Sequence, residues 1–148
     1  MVYEFKAQRR VEFSDTDMAG IMHFSNFFRF METAEHGFFR SLGLSIFDQE
    51  RLPRVGWPRV HASCDYHKPL HFEDQVEIHL VVVEKRSKAV TYQIRFCKLG
   101  GAVPEEVARG RLTVVCVSLA ADGTMRATAI PKDIAARIGV APAALLEG

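Results

Sequence analysis

Ser25-Asn26-Phe27-Phe28-Arg29-Phe30-Met31-Glu32-Thr33-Ala34-Glu35-His36-Gly37-Phe38-Phe39-Arg40-Ser41-Leu42-Gly43 carries the chain's one sustained helical repeat. Phe27, Phe28, Met31, Ala34, Phe38 and Leu42 recur at spacings of three and four, which lays them along one broad apolar face. Ser25 is placed to cap the first turn and Gly43 to stop the last. The predicted helix runs about seventeen residues, roughly 25 Å at 1.5 Å per residue, enough to cross a small sheet. Within it, Gly37 gives up about 1 kcal/mol of helix propensity relative to Ala, which points to a close approach by another element. Seven of the 11 Phe fall between Phe24 and Phe47. A helix so rich in large apolar residues is expected to be buried on most sides.

What flanks the helix has a period of two. Residues 3–14 read as a first strand ending in the polar turn Ser14-Asp15-Thr16-Asp17. After a loop containing Pro53, Gly56 and Pro58, Val76, Ile78, Leu80 and Val82 alternate with Gln75, Glu77 and His79. Val90, Tyr92, Ile94 and Phe96 then alternate with Thr91, Gln93 and Arg95. Lys85-Arg86-Ser87-Lys88 joins these two runs as a hairpin turn. A further long strand is predicted over 106–119, closed by the turn signal Asp122-Gly123. Residues 131–138 read as a short helix, with Pro131 in its first turn and Gly139 at its end. Strand, long helix and then strands in succession, with no crossover helices between them, is α+β: an antiparallel sheet of about five strands wrapped around one central helix.

The 148 residues fit a single domain over 1–148. A chain of that size buries roughly 68–70% of its unfolded surface and so builds a core without staples. With 48% apolar residues, 25% charged residues and a formal charge of +1, the composition is that of a globule and carries no basic signature of a nucleic-acid binder. The first residues lack the basic-plus-apolar pattern of a secretory signal. The longest aliphatic block, residues 80–83, is far too short to span a bilayer, so a cytoplasmic protein without a membrane partner is expected. Cys64, Cys97 and Cys116 are odd in number and share no CxxC spacing, which favours buried, reduced thiols. His61, Cys64, His67 and His71 offer four potential zinc ligands. On a strand, however, His61 and His67 face one way and Cys64 the other, a poor tetrahedral cage, so no metal is expected.

The stretch from Phe13 to Phe27 places Asp15, Asp17, Gly20 and His23 in the loop that feeds the start of the helix. Unpaired N–H groups and the positive end of the helix dipole lie there, so the loop can hold a developing oxyanion while a carboxylate attacks an acyl carbon or activates water. On spacing alone, Asp15 and Asp17 also read as ordinary turn and capping residues. Glu32, Glu35 and His36 form a second carboxylate and histidine set, with Glu32 and His36 one turn apart, but as a group they read first as a solvated helical stripe. Phe24, Phe27, Phe28 and Trp57 read either as pocket lining or as core. No Gly-rich phosphate loop and no G-x-S-x-G nucleophile motif occurs.

At this loop the pattern Asp15-x-Asp17-x-Ala19-Gly20-Ile21, then Asn26-Phe27 and Phe30-Met31-Glu32-x-Ala34, resembles the hotdog-fold acyl-CoA thioesterases of the 4-hydroxybenzoyl-CoA thioesterase branch. Cys64-Asp65-Tyr66 with Pro69 and Asp74, and Ile130-Pro131 near the end, extend the resemblance over nearly the whole chain. It implies that Asp17 is the catalytic carboxylate and that the backbone N–H of Phe24 polarises the thioester carbonyl. Gly20, His23, Asn26 and Phe27 are implied to be substrate-binding, and Arg86 and Lys88 are candidates for the CoA phosphates. Relatives carry histidine where this chain has Phe24; here the histidine is His23, one position earlier. The implied reaction is hydrolysis of an acyl-CoA to free acid and CoA, with CoA as part of the substrate and no separate cofactor. The alternatives are release of an acyl group from acyl carrier protein and non-catalytic acyl-CoA binding. With the helix filling the concave side of the sheet, sites between subunits of a homodimer or homotetramer are expected.

Overall fold

A computed structural model describes residues 1–146. In chain order the elements are β1 (Glu4–Arg10), α1 (Asn26–Ser41), β2 (Arg54–Gly56), β3 (Arg59–Tyr66), β4 (Gln75–Lys85), β5 (Ala89–Lys98), β6 (Glu105–Val115), β7 (Val117–Leu119), β8 (Met125–Ala127) and α2 (Lys132–Ala135). The main sheet has five antiparallel strands in the order β1-β4-β5-β6-β3, and β2-β7-β8 make a small second sheet.

The alternation read from the sequence sets the register. Ile78 lies opposite Phe96, Leu80 opposite Ile94 and Val82 opposite Tyr92. These side chains are fully buried, and they form one core with Phe30, Met31, Ala34 and Phe38 of α1. Burying such side chains is worth about 1.5–3 kcal/mol each. The helix therefore lies on the sheet, as its repeat predicted. Gly37 is where Phe5 of β1 comes close: a Cβ there would sit 2.6 Å from the Phe5 ring. Gly110 serves the same purpose on β6, where a Cβ would collide with Met31. Gly43 follows the helix at φ +76°, the left-handed conformation that ends a helix.

Four expectations need correction. The first strand stops at Arg10, and Phe13–Asp15 form a single 3₁₀ turn instead. Ser25 occupies the cap position without a side-chain capping bond, because its hydroxyl is engaged with His23. The long final strand is broken at Cys116, whose N–H bonds to the Lys88 carbonyl and whose carbonyl accepts from Thr128, so that β7 turns away to pair with β2. The last helix has only four residues; Lys85 caps it by donating to the Ala135 and Ile138 carbonyls at 2.9 and 2.7 Å. Among the described residues, no helix is long and apolar enough to cross a membrane.

Candidate active site

The segment between β1 and α1 folds back on itself through main-chain bonds. Asp17 N–H donates to the Ile21 carbonyl, Gly20 N–H returns to the Asp17 carbonyl, and Gly20 supplies the turn at φ +82°. Asp15 is the structural member of the carboxylate pair. Its Oδ2 accepts from Glu12 N–H at 2.8 Å, while its carbonyl receives both His23 N–H and Asn26 Nδ2, each at 2.8 Å. Asp17 has a different environment: Oδ1 accepts from Ala19 N–H at 2.8 Å, and Oδ2 has no partner among the described residues. The carboxylate is thus oriented and keeps one oxygen available.

Asp17 opens onto a cavity of about 430 Å³ walled by Ile21, Met22, Phe24, Phe27, Tyr66, His67, Lys68 and Pro69. Its floor is aromatic. Phe27 packs edge-on against Tyr66 at 5.0 Å and against Phe96 at 5.1 Å. Phe24 is 62% exposed at the rim, with its ring stacked on His23 at 4.6 Å. Around Phe24 the main chain is almost fully committed. The His23 carbonyl accepts from Asn26 N–H at 2.9 Å, Ser25 N–H approaches His23 Nδ1 at 3.3 Å, and the Phe24 carbonyl accepts from the Tyr66 hydroxyl at 2.9 Å. The Phe24 N–H is left without an acceptor among the described residues. A main-chain donor without a protein acceptor, two residues before α1 and in a residue that lines the same cavity as a half-free carboxylate, suits acyl chemistry, in which a donor can stabilise an oxyanion and a carboxylate can serve the attacking group.

The other candidates are distributed differently. Asn26 and His23 brace the loop from within, and neither walls the cavity. Arg86 pairs with Glu84 and lines a separate cavity of about 280 Å³ on the other sheet face, with His61, Thr91, Arg111 and Thr113. Lys88 stands in the same exposed hairpin. Trp57 belongs to the core, edge-on to Phe39 at 5.5 Å. Of the four residues weighed as zinc ligands, His61 and His67 line different cavities. The thiols are unpaired. Cys116 is buried and Cys64 and Cys97 are half-buried, and burial pushes Cys64 and Cys116 up to about 11.

Glu35 is the residue whose position departs most from its reading. It is fully buried, not on a solvated stripe, and its Oε1 accepts from Arg59 at 2.6 Å. Desolvation raises its pKa above the ordinary value against the opposing pull of Arg59, and the Tyr92 hydroxyl, with which it interacts, is raised as well by its own burial. Glu32, one turn earlier, is exposed and meets the same guanidinium at 3.3 Å. Tyr66 was absent from the sequence candidates; an aromatic residue four before a buried leucine on an edge strand gives no local signal of its bond to a loop 42 residues away.

Comparison with known proteins agrees with this geometry. The sequence model of the Thioesterase-like superfamily matches residues 11–138. A 1,4-dihydroxy-2-naphthoyl-CoA hydrolase of Parasynechococcus marenigrum is 37% identical over 82 residues, covering 51% of this chain and 54% of that protein, so the match spans about half of the relative's length. The enzyme of the same name from Synechococcus sp. WH7803 is 30% identical over 136 residues, covering 87% of this chain and 84% of its own. The crystal structure of a 4-hydroxybenzoyl-CoA thioesterase mutant with its substrate superposes with TM-score 0.84 at 23% identity, over 93% of this chain and 100% of that one, a likeness of fold. A gentisyl-coenzyme A thioesterase superposes with TM-score 0.76 at 27% identity, over 91% and 100%. The five-stranded antiparallel sheet on one helix is thus the hotdog fold, and the chain belongs to the thioesterase-like superfamily.

Proposed function

We propose that the protein is an acyl-CoA thioesterase that releases a hydroxylated aromatic acid and free CoA. The observation that carries this reading is the shared cavity of Asp17 and Phe24, a carboxylate with one free oxygen beside a main-chain donor without a protein acceptor. The thioester oxygen docks on the Phe24 N–H. Asp17 takes a proton from water as the water adds to the carbonyl carbon, or attacks that carbon itself to form an anhydride that water then opens. Collapse of the tetrahedral species breaks the C–S bond; in the first route the thiolate takes the proton held by Asp17, and in the second it leaves as the anion and is protonated by the water that opens the anhydride. One oxyanion donor of this kind is worth about 2.7–4 kcal/mol. The reaction draws on these groups and the substrate's own CoA, without a separate cofactor.

An aromatic acyl group is supported by the ring-lined floor formed by Phe27 and Tyr66 and by the aromatic substrates for which the naphthoyl-CoA and gentisyl-CoA relatives are named. A homodimer is supported by β3: it is an edge of the main sheet, eight residues long and almost entirely exposed, with Val60 62% accessible, and such an edge is a ready template for another strand. A cytoplasmic location is supported by three cysteines that form no disulfide among the described residues. Turnover of aromatic, short, medium and long acyl-CoAs, with the corresponding acyl carrier protein thioester at equal acyl length, tests it. Preference for hydroxylated aromatic acyl-CoAs is expected; tight binding of all of them without hydrolysis overturns the assignment.

A further inference from the structure

We propose that Tyr66 is a positioning residue: by holding the Phe24 carbonyl, its hydroxyl fixes the orientation of the Phe24 N–H at the cavity. This rests on the thioesterase reading above, in which that N–H receives the substrate carbonyl.

Two peptide planes meet at Phe24. In the plane that follows it, the carbonyl accepts from Tyr66 at 2.9 Å and the N–H of Ser25 approaches His23 Nδ1 at 3.3 Å. In the plane that precedes it, the His23 carbonyl accepts from Asn26 N–H at 2.9 Å, and the N–H of Phe24 is the one group left over. Three of four polar groups are therefore spent on orientation. Of those three bonds, only the Tyr66 bond comes from outside residues 23–26, and it ties the loop to the end of β3 in the main sheet. The rigid element thus holds the helix entry, which is what an oxyanion donor needs if it is not to reorganise during reaction.

Tyr66 is suited to this task in two further respects. Its ring packs edge-on to Phe27 at 5.0 Å, which restricts the direction in which the hydroxyl points. Desolvation pushes its pKa up to about 12, so the hydroxyl remains a donor across the whole working range of pH. Phenylalanine at 66 would keep the ring contact and delete the bond to Phe24, together with the hydroxyl's interaction with the Cys64 thiol.

The experiment compares wild type, Tyr66→Phe and Asp17→Asn by steady-state kinetics on an aromatic acyl-CoA and by NMR of the Phe24 carbonyl carbon in the free proteins. For Tyr66→Phe, kcat is expected to fall by about 10- to 100-fold with KM and melting temperature nearly unchanged, the pattern of a lost transition-state alignment. The Phe24 carbonyl resonance is expected to move upfield and the amides of residues 24–26 to exchange faster. A Tyr66→Phe enzyme with wild-type kcat, beside an inactive Asp17→Asn, overturns the positioning role and leaves the thioesterase reading standing. Should Asp17→Asn retain full activity, the role given to Asp17 falls; should the wild type not hydrolyse the acyl-CoA, the thioesterase reading falls, and the carbonyl resonance alone decides: a shift in Tyr66→Phe upholds the grip on Phe24, and an unchanged resonance overturns it.

Discussion

Arg59 and Glu35 meet at 2.6 Å where the start of β3 passes the middle of α1, the guanidinium 28% exposed and the carboxylate fully enclosed. Arg59 also donates to the Trp57 carbonyl at 2.9 Å, so it would remain partly satisfied if the carboxylate were lost; the carboxylate has no other ionic partner within reach among the described residues. Removing Arg59 is therefore the more damaging half of the pair. Arg59→Ala should cost about 3–5 kcal/mol, as for an uncompensated buried charge, and Glu35→Gln markedly less. Urea denaturation of both variants at neutral pH reads the difference, and equal losses would contradict the asymmetry.

The same pair gives stability a pH dependence. Burial raises the Glu35 pKa above its ordinary value of 4.5, so over the window above 4.5 the native state holds a proton that the unfolded chain has released. Stability must then fall as pH rises through that window. Relative to Glu35→Gln, the wild type is expected to be most stable near pH 4 and to lose that advantage toward neutrality. Parallel pH profiles of melting temperature for the two proteins from pH 4 to 8 would mean that folding leaves the Glu35 pKa at its ordinary value.

Asp17→Asn keeps an Oδ1 that can accept from Ala19 N–H, so the loop should hold its shape while the proposed base or nucleophile is lost. Turnover is expected to drop roughly 100- to 10,000-fold, the usual worth of a positioned general base. Thiol release from an acyl-CoA, followed with a chromogenic disulfide, measures it. A loss of less than tenfold would assign the chemistry elsewhere.

Gly37→Ala sets two effects against each other. Helix propensity favours alanine by about 1 kcal/mol, but the new methyl meets the Phe5 ring at 2.6 Å, and overpacking costs about 1–3 kcal/mol. A net loss of about 1 kcal/mol is expected in the wild-type background, turning to a gain when Phe5 is first changed to leucine. A double-mutant cycle by denaturation checks the reversal of sign.

Charges on the exposed edge should separate the subunits of the proposed dimer. Val60→Lys with Ala62→Lys places two cations on β3, where they oppose pairing with a like strand. Sedimentation is expected to show a wild-type dimer and a folded, less active monomer for the variant. A wild type that is monomeric and fully active removes β3 from the account.

The parts of the fold visible in the sequence are those where large side chains repeat. The α1 stripe and the alternation of β4 and β5 announce both element type and buried face, and Gly37 stands out because only a close neighbour justifies it within a helix. What stayed hidden depends on partners far along the chain. Glu35 reads as a surface charge until Arg59, 24 residues on, is brought beside it. The break at Cys116 lies inside an apolar run with no Gly or Pro, and its cause is a carbonyl at Lys88 in another hairpin. Asp17 and Phe24, which the resemblance nominates, line one cavity, whereas Asn26 reads as a ligand contact and its amide bonds to the Asp15 carbonyl.

The bonds that hold residues 23–26 run largely through main-chain atoms, with the Asp15 carbonyl alone accepting two donors. Every residue other than proline brings the same N–H to position 24, so the identity of that side chain is disconnected from the chemistry and left to decide what enters the rim. A saturation library at Phe24 would then be a library of substrate preferences rather than of dead enzymes. Variation at Asp15, which does not line the cavity, would be the place where activity is lost.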